Sequence, residues 1–305
     1  MKKVLLLLCM LLLSVPAARA QNGGSLTLDT SLKYRVVEDV VFGYKDGLAL
    51  SMDVLTPEQN AKKLGVIILS SGSWRSKKSL PAEENQLRTQ HWVLGLLQGG
   101  YTVFVARHGS SPRYFVPEMI PDVQRAVRFV RANAKQYGIN PDHIGLTGGS
   151  SGGHLSLMAA LTADDGKADA KDPLERVGSR VQALVTWFPP TDMINWGADK
   201  GYLLLEKLQP DLFTRIFGKV TDLETQLRAI SPIYHATEKA PPLLLIHGDA
   251  DKTVPVQQSH LLKAKFDDLK RPVKLFIKPG AGHTYWPGIQ DYYPEIWKWF
   301  ETYLK

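Results

Sequence analysis

The sequence predicts an α/β fold in which a mostly parallel, doubly wound sheet is covered by helices on both faces. Short apolar runs rich in β-branched residues recur along the chain, and amphipathic segments of helical length separate them. Continuous apolar runs are typical of strands that are buried on both faces, and strand–helix alternation is typical of parallel sheets. Such sheets bind ligands at the carboxyl ends of their strands, so we expect the functional site there.

The predicted elements alternate along the chain. The first two strands form a pair joined by a turn at 45–47. The helix over 122–137 has the clearest amphipathic pattern, with Pro121 in its first turn and Gly138 at its end. The strands are predicted over 36–41, 48–55, 65–69, 102–106, 143–147, 183–187, 243–247 and 273–277, and the other helices over 151–161, 256–269 and 292–303.

Residues 1–20 have the pattern of a secretory signal peptide. Two lysines precede an apolar run over 4–13, and the small residues Ala18 and Ala20 suit signal peptidase. The run is shorter than the roughly 20 apolar residues that a membrane span needs. A lipoprotein signal at Cys9 is disfavoured because a leucine precedes it where a small residue is required. We therefore expect a secreted or periplasmic protein without a membrane anchor.

Beyond the leader, the composition fits one large domain with a full core over 34–305, after a flexible N-terminal segment over 21–33. A helical pattern without a strand over 194–233 predicts a small helical cap insertion. Cys9 is the only cysteine, and we expect neither a metal nor an organic cofactor. The 37 Lys and Arg residues are scattered among 30 Asp and Glu residues, which argues against a nucleic-acid partner. A monomer or a homodimer is expected.

A Gly-x-Ser-x-Gly pattern follows the predicted strand over 143–147. The segment 148–154 has the sequence GGSSGGH, so the pattern fits both Ser150 and Ser151. Ser150 is favoured because it stands at the tip of a strand-to-helix turn, where glycines accommodate a strained backbone. Ser151 then opens the helix, and its N–H at the positive end of the helix can donate to an oxyanion. Patterned elements on both sides argue against a Gly/Ser linker.

An acid and a base follow two later strands. Asp251 lies past the strand over 243–247 and can reach across to orient a histidine, whereas Asp249 is better placed to bond its own loop. His283 lies on a glycine-flanked loop past the last strand, where a general base can act. The chain order Ser, Asp, His, with each residue on a loop after its own strand, predicts that Ser150, Asp251 and His283 form a catalytic triad.

Together these motifs resemble a known family. The segments that carry the resemblance are PDVQRAVRFVRANAKQYGINP over 121–141, NPDHIGLTGGSSGGHLS over 140–156, APPLLLIHGDADKTVP over 240–255 and AGHTYW over 281–286. The combination resembles the BD-FAE-type branch of α/β-hydrolase carboxylesterases, related to hormone-sensitive-lipase-like, acetyl-xylan and feruloyl esterases, over most of 35–305. The resemblance implies an α/β-hydrolase fold and a serine carboxylesterase. It also implies that Ser150 is the nucleophile, Asp251 the acid and His283 the base.

The resemblance further implies that the loop after the strand over 65–69 supplies oxyanion donors. In the family this loop usually contains His-Gly-Gly-Gly-Trp, whereas residues 70–74 here are SSGSW. Backbone donors do not depend on the side chain, so we expect the N–H groups of Gly72 and Ser73 to act beside that of Ser151. The bulkier side chains leave less room beside the oxyanion, which leaves the substrate range and the rate open.

Aromatic residues cluster in the loops that should surround the pocket. Because Trp and Tyr rings stack well on sugar and phenolic rings, we expect a short-chain or carbohydrate-linked acyl ester as the substrate. Some of these rings could instead belong to the core. The predicted substrate-binding residues are Trp74, Phe188, Trp196, Tyr285 and Trp286.

Two other classes of protein stay as alternatives. A serine peptidase of the prolyl-oligopeptidase kind shares these motifs, but 305 residues are few for a hydrolase domain together with the propeller domain that such enzymes use. A non-catalytic binding protein on a hydrolase scaffold would be expected to have a damaged triad. The sequence retains all three triad residues, so an esterase is favoured.

Overall fold

The computed structural model describes residues 26–78, 86–197, 222–284 and 286–304, with the backbone alone for 86–90. The described strands are β1 (Tyr34–Lys45), β2 (Leu48–Pro57), β3 (Gly65–Leu69), β4 (Thr102–Ala106), β5 (Ile144–Gly149), β6 (Ala183–Trp187), β7 (Leu243–Gly248) and β8 (Val273–Lys278). They form one sheet in the order β1-β2-β4-β3-β5-β6-β7-β8. β1 pairs antiparallel with β2, as does β2 with β4, and all later neighbours are parallel. The predicted mostly parallel sheet is confirmed.

Helices lie on both faces of this sheet. The described helices are α1 (Gln86–Gln98), α2 (Val116–Ala132), α3 (Ser150–Leu161), α4 (Leu223–Ala229), α5 (Pro232–His235), α6 (Gln257–Asp268) and α7 (Tyr293–Tyr303). Short 3₁₀ helices occur at Pro173–Arg176 and Ile289–Tyr292. Side chains of α2, α3 and α6 contribute to the core on one face, and those of α1 and α7 to the core on the other.

The central strands are apolar throughout because they contact helices on both sides. In β3, Ile67 and Leu69 join the core beneath α2 and α3, whereas Val66 and Ile68 join the core beneath α1 and α7. All five residues of β3 are buried, as are all five of β4 and of β6. Successive side chains of a strand point to opposite faces, so a strand covered on both faces needs a continuous apolar run.

Helix α1 is an element that the sequence pattern does not predict. Gly95 lies in the last turn of α1, and Gly99 directly follows the helix, so both interrupt its apolar pattern. A Cβ atom added to Gly95 would lie 2.2 Å from the ring of Tyr293, and one added to Gly99 would lie 2.5 Å from the indole of Trp297. These glycines allow α1 to pack closely on the aromatic side of α7. Because glycines replace apolar side chains where α1 meets α7, the sequence of α1 lacks the amphipathic pattern by which a helix is recognised.

Helix α2 begins earlier than the sequence pattern predicts. It starts at Val116, because the N–H of Phe115 donates to the carboxylate of Glu118 at 2.8 Å and caps the first turn. Pro121 therefore lies inside the helix and not in its first turn, which corrects the predicted boundary. Pro117 occupies the first turn instead, where the N–H that a proline lacks would have no partner within the helix.

Some predicted segments lie partly or wholly outside the described residues. The signal peptide over 1–20 is one of them. Of the segment predicted as flexible, residues 26–33 run along the domain, where the N–H of Leu26 donates to Asp291 and that of Asp29 to Gln98. Of the predicted cap, residues 198–221 lie outside the description, while α4 forms within the rest.

A network of ion pairs ties the loop after β3 to the opening strands. Asp53 on β2 is fully buried and accepts hydrogen bonds from Arg107 at 2.6 and 3.0 Å. Arg107 also contacts Asp39, and Asp39 in turn pairs with Lys78 at 2.5 Å. Burial raises the pKa of Asp53, but the hydrogen bonds from Arg107 and from the N–H of Asp39 outweigh burial and hold it below its ordinary value.

We expect Arg107→Ala to lower the free energy of unfolding by about 3–5 kcal/mol, because it leaves the buried Asp53 carboxylate without its cation. Urea unfolding at pH 7 measures this change. Lys274→Ala is the matched control, since Lys274 forms an exposed pair with Glu295, and its cost should stay below about 1 kcal/mol. Equal costs for the two substitutions would contradict the structural role of Arg107.

Candidate active site

Ser150 occupies a strained turn between β5 and α3. Its φ is +51°, in the left-handed region that costs a non-glycine residue about 1–2 kcal/mol. A Cβ atom added to Gly148 would lie 2.5 Å from the carbonyl carbon of Gly152, and one added to Gly152 would lie 2.7 Å from the carbonyl oxygen of Leu69. The turn is therefore tight enough to require glycine at both positions, and it lifts Ser150 to the carboxyl end of the sheet.

His283 connects Ser150 to Asp251 by two hydrogen bonds. Its Nε2 lies 2.9 Å from Ser150 Oγ, and its Nδ1 lies 2.7 Å from Asp251 Oδ2. Because an ionised carboxylate can only accept, Nδ1 carries the proton and Nε2 is free to accept from the Ser150 hydroxyl. The structure thus brings together the three residues that the sequence analysis selects, although they are far apart in the chain.

The Asp251 carboxylate is fully buried and fully hydrogen-bonded. Its Oδ1 accepts from the N–H groups of Thr253 and Val254 at 2.8 and 2.9 Å. Burial raises the pKa of Asp251, but hydrogen bonds from His247 and His283 outweigh burial and hold the pKa well below its ordinary value of 3.8. The group therefore remains an anion at neutral pH.

The two alternatives left open by the sequence have different contacts. Asp249 is exposed, and its carboxylate accepts from the N–H of Gly280 at 2.6 Å, so it bonds the loop that carries His283 and not, as predicted, its own loop. The hydroxyl of Ser151 is buried and lies 3.4 Å from that of Ser71. The described hydrogen bonds of His283 are therefore made with Asp251 and Ser150, and not with Asp249 or Ser151.

The predicted oxyanion loop has an unusual backbone. Gly72, Ser73 and Trp74 have φ values of +120°, +58° and +58°, so three successive residues lie in the left-handed region. Gly72 and Ser73 line the same pocket as Ser150, and α3 begins at Ser150, one residue before the predicted start, so that Ser151 is its second residue. The loop thus lies beside the nucleophile and keeps one of the family's three glycines, Gly72, and the role of the Gly72 and Ser73 N–H groups as oxyanion donors stays a prediction.

Trp74 connects this loop to α3. Its indole is 3% exposed and donates to His154 Nδ1 at 3.1 Å, while His154 Nε2 donates to the carbonyl of Ile230 at 2.7 Å. Burial lowers the pKa of His154 to about 4, so the ring is neutral and this pattern of donors fits it. Trp74 holds the loop in place and is not among the described residues that line the pocket.

A pocket of about 450 Å³ opens at Ser150. One wall is polar and consists of the loop after β3, and the other is apolar and comes from β3, β4, α1 and the segment after β6. The described residues that line the pocket are Ile68, Leu69, Ser70, Ser71, Gly72, Ser73, Lys77, His91, Trp92, Val93, Val105, Gly149, Ser150, Phe188, Thr253, His283 and Thr284.

Of the predicted substrate-binding aromatics, Phe188 lines the pocket. Its ring centroid lies 4.7 Å from that of His283. Trp196 and Trp286 are 6% and 5% exposed and are not among the described lining residues, so for them, as for Trp74, the structure corrects the prediction. These rings are buried because a large apolar surface is more stable in the core than at a rim. Tyr285 lies outside the described residues.

Trp92 lines the pocket although the sequence analysis does not select it. Its ring lies 4.8 Å from that of Trp187, and a Cβ atom added to Gly149 would lie 3.2 Å from the rings of both Trp92 and Phe188. The end of the indole therefore lies next to the residue that precedes Ser150. Since α1 has no amphipathic pattern, no sequence signal marks this position as part of the site.

Among the described residues, no group of three or more His, Cys, Asp or Glu side chains has the arrangement of a metal site. None of the helices in the described ranges is both long and apolar enough to cross a bilayer.

Comparison with known proteins finds relatives with esterase names. The chain is 35% identical over 191 residues to a probable carboxylic ester hydrolase, LipM, of Mycobacterium tuberculosis, covering 62% of this chain and 43% of LipM. The solved structure of a truncated form of carbohydrate esterase from gut microbiota is similar with a TM-score of 0.70 and 28% identity, covering 88% of this chain and 95% of that one. An acetyl ester-xyloside bifunctional hydrolase from Caldicellulosiruptor lactoaceticus shares the fold with a TM-score of 0.71 at 23% identity, over 87% and 95% of the two chains.

These similarities, together with the sheet order and the turn at Ser150, define the protein as an α/β hydrolase. The chain belongs to the BD-FAE family of that class, because the sequence model of the family matches residues 52–266. The predicted family and fold are confirmed, and the predicted ester hydrolase agrees with the names of these relatives. The chain spans about half the length of the curated mycobacterial relatives that it matches.

We expect the stabilising contribution of Asp251 to depend on pH. Because its pKa is lowered by folding, the contribution is present above the unfolded pKa of about 3.8 and is lost as the pH falls below it. Urea unfolding of wild type and Asp251→Asn from pH 7 to pH 3 checks this. The wild type should lose free energy of unfolding relative to the variant below about pH 4. A constant difference across this range would contradict the lowered pKa.

Proposed function

We propose that the protein is a secreted serine carboxylesterase that hydrolyses short-chain or carbohydrate-linked acyl esters through an acyl-enzyme intermediate. The observation that carries this proposal is the hydrogen-bonded chain from Ser150 through His283 to the buried Asp251 anion. It lies at the edge of a pocket at the carboxyl end of a parallel sheet, where a substrate carbonyl can reach Ser150.

In the proposed reaction, Ser150 Oγ attacks the ester carbonyl while His283 Nε2 takes the hydroxyl proton. Asp251 holds the His283 ring in the required tautomer and stabilises the imidazolium that forms. Backbone N–H groups of Ser151, Gly72 and Ser73 stabilise the oxyanion. His283 then donates the proton to the leaving alcohol, and a water molecule activated by His283 releases the acid from the acyl-enzyme.

The relatives support the reaction class and the kind of substrate. LipM is named a probable carboxylic ester hydrolase, and a structural neighbour with 28% identity is named a carbohydrate esterase. The pocket wall combines hydroxyl groups of the loop after β3 with the aromatic rings of Trp92 and Phe188. Hydroxyl groups can bond a sugar, and apolar rings can bury an acyl group, so this mixture fits an ester that joins the two.

Secretion and oligomeric state are further parts of the proposal. The leader pattern at 1–20 supports export to the periplasm or beyond, with a mature chain that starts after Ala20. N-terminal sequencing of the exported protein tests the cleavage site. A monomer or a homodimer is proposed, with no nucleic-acid partner and no cofactor.

We expect Ser150→Ala to lower kcat/KM for p-nitrophenyl acetate by about 10⁴-fold or more, because the nucleophile is removed. Ser156→Ala is the matched control, since Ser156 is also a serine of α3 and its hydroxyl bonds the carbonyl of Gly152. Activity that survives in Ser150→Ala and disappears in Ser151→Ala would transfer the nucleophile to Ser151. A dipeptide arylamide that is cleaved faster than the matched ester would favour a peptidase.

We expect Trp92 to limit the length of the acyl group, because its ring forms the pocket wall beside Gly149. Trp92→Ala should raise the ratio of kcat/KM for p-nitrophenyl decanoate to that for the acetate by about tenfold or more. The reason is that each methylene buried in an apolar pocket adds to the binding of the transition state. Trp299→Ala is the control, because Trp299 is a half-buried tryptophan of α7 that packs on Tyr303. An unchanged ratio in Trp92→Ala would place the acyl group elsewhere.

A further inference from the structure

A second histidine contacts the Asp251 carboxylate. His247, the penultimate residue of β7, is fully buried, and its Nε2 lies 3.3 Å from Asp251 Oδ2. This is the same oxygen that accepts from His283 Nδ1. The proposed reaction uses His283, but nothing in it requires His247, so a buried imidazole at this place needs its own explanation.

The contacts of His247 determine which nitrogen carries its proton. Nε2 lies 2.9 Å from the carbonyl oxygen of Val254, which can only accept, so Nε2 is the donor. Nδ1 lies 2.7 Å from Ser259 Oγ, so in the neutral ring Nδ1 accepts and the Ser259 hydroxyl donates. Ser259 on α6 is itself fully buried. Its hydroxyl thus selects the tautomer that carries the proton on Nε2, the nitrogen that contacts both the Val254 carbonyl and Asp251.

We propose that His247 is a positioning residue that holds the Asp251 carboxylate in the orientation that His283 requires. This inference rests on the proposed function, in which Asp251 orients His283. Val254 completes the arrangement, because its N–H donates to Asp251 Oδ1 while its carbonyl accepts from His247. Oδ1 accepts from two backbone N–H groups, and Oδ2 accepts from His283 and lies 3.3 Å from His247 Nε2. Rotation of the carboxylate away from His283 would break several of these contacts at once.

The position of His247 on a strand makes it suitable for this role. Asp251 and His283 lie on loops, whereas His247 belongs to β7, which pairs with β6 on one side and with β8 on the other. The contact between His247 and Asp251 therefore connects the carboxylate to the rigid sheet. Misplacement of a reacting group by about 1 Å can lower a rate by about a hundredfold, so such a connection affects the rate and not only stability.

Two substitutions at one position separate the N–H donor from the rest of the side chain. In His247→Gln, the amide nitrogen can take the place of Nε2 and still donate to Asp251. In His247→Asn, the shorter side chain can accept from Ser259, as Nδ1 does, but cannot reach the carboxylate. Both variants are neutral and polar, and circular dichroism with thermal unfolding shows whether each is folded.

We expect His247→Asn to lower kcat for p-nitrophenyl acetate by about tenfold to a hundredfold with KM changed less than about threefold, because orientation in the transition state is lost. His247→Gln should keep kcat within about threefold of the wild type, since the donor is retained. Rates are expressed per Ser150 that reacts with a fluorophosphonate, so that unfolded protein does not contribute. Equal losses in kcat for Asn and Gln would overturn the proposal.

Ser259→Ala tests the other end of the chain of contacts. Without the hydroxyl, the His247 ring loses the partner that selects its tautomer, so kcat should fall by less than in His247→Asn. The double variant His247→Asn with Ser259→Ala should be no slower than His247→Asn alone, because Ser259 acts through the Nε2 proton. Fully additive losses in kcat would overturn this part of the proposal.

A spectroscopic measurement tests the positioning without any turnover. The Nδ1 proton between His283 and Asp251 should give a low-field ¹H NMR signal in the wild type that disappears in Asp251→Asn. We expect this signal to be retained in His247→Gln and to broaden or shift upfield in His247→Asn. An unchanged signal in His247→Asn would overturn the proposal. Absence of ester hydrolysis by the wild type would contradict the proposed function instead, and the signal would still test the contact.

Discussion

The left-handed backbone at Ser150 is the constraint on which the rest of the site depends. A non-glycine residue stays in this conformation only where its surroundings enforce it. Here the enforcement comes from backbone packing, because the turn places Gly148 against Gly152 and Gly152 against the end of β3. The same close approach brings the loop after β3 next to the nucleophile. One strained residue therefore sets the distance between Ser150 and the backbone groups that face it.

Buried polar contacts keep the neighbouring loops in position. Trp74 and His154 connect the loop after β3 to α3, and His247 connects the loop of Asp251 to β7. A buried polar group without a partner costs about 1–3 kcal/mol, so these contacts favour one arrangement over its alternatives. The site is held by groups that do not touch the pocket. This is the physical basis of preorganisation, in which the donors need no rearrangement during the reaction.

The pocket and the core share one set of aromatic rings. Trp187 packs against Trp92 on one side and against Trp286 on the other, while Phe188 extends from this cluster to His283. Trp92 contacts Trp187 edge to face, as Phe188 contacts His283, so the apolar wall of the pocket is packed continuously with the core. The shape of the acyl site therefore depends on packing beneath it, and not only on the residues that a ligand would touch.

The sequence by itself determined the strand order along the chain, the turn at Ser150 and the positions of Asp251 and His283. Local patterns specify these features, since apolar runs mark strands and glycines mark the tight turn. Only the tertiary structure decided that Trp74 and Trp286 are buried and that Trp92 reaches the pocket. Long-range packing controls the exposure of a ring and the presence of α1, whose glycines fit α7. No pattern within a short segment carries that information, because the contacting residues are far apart in the chain.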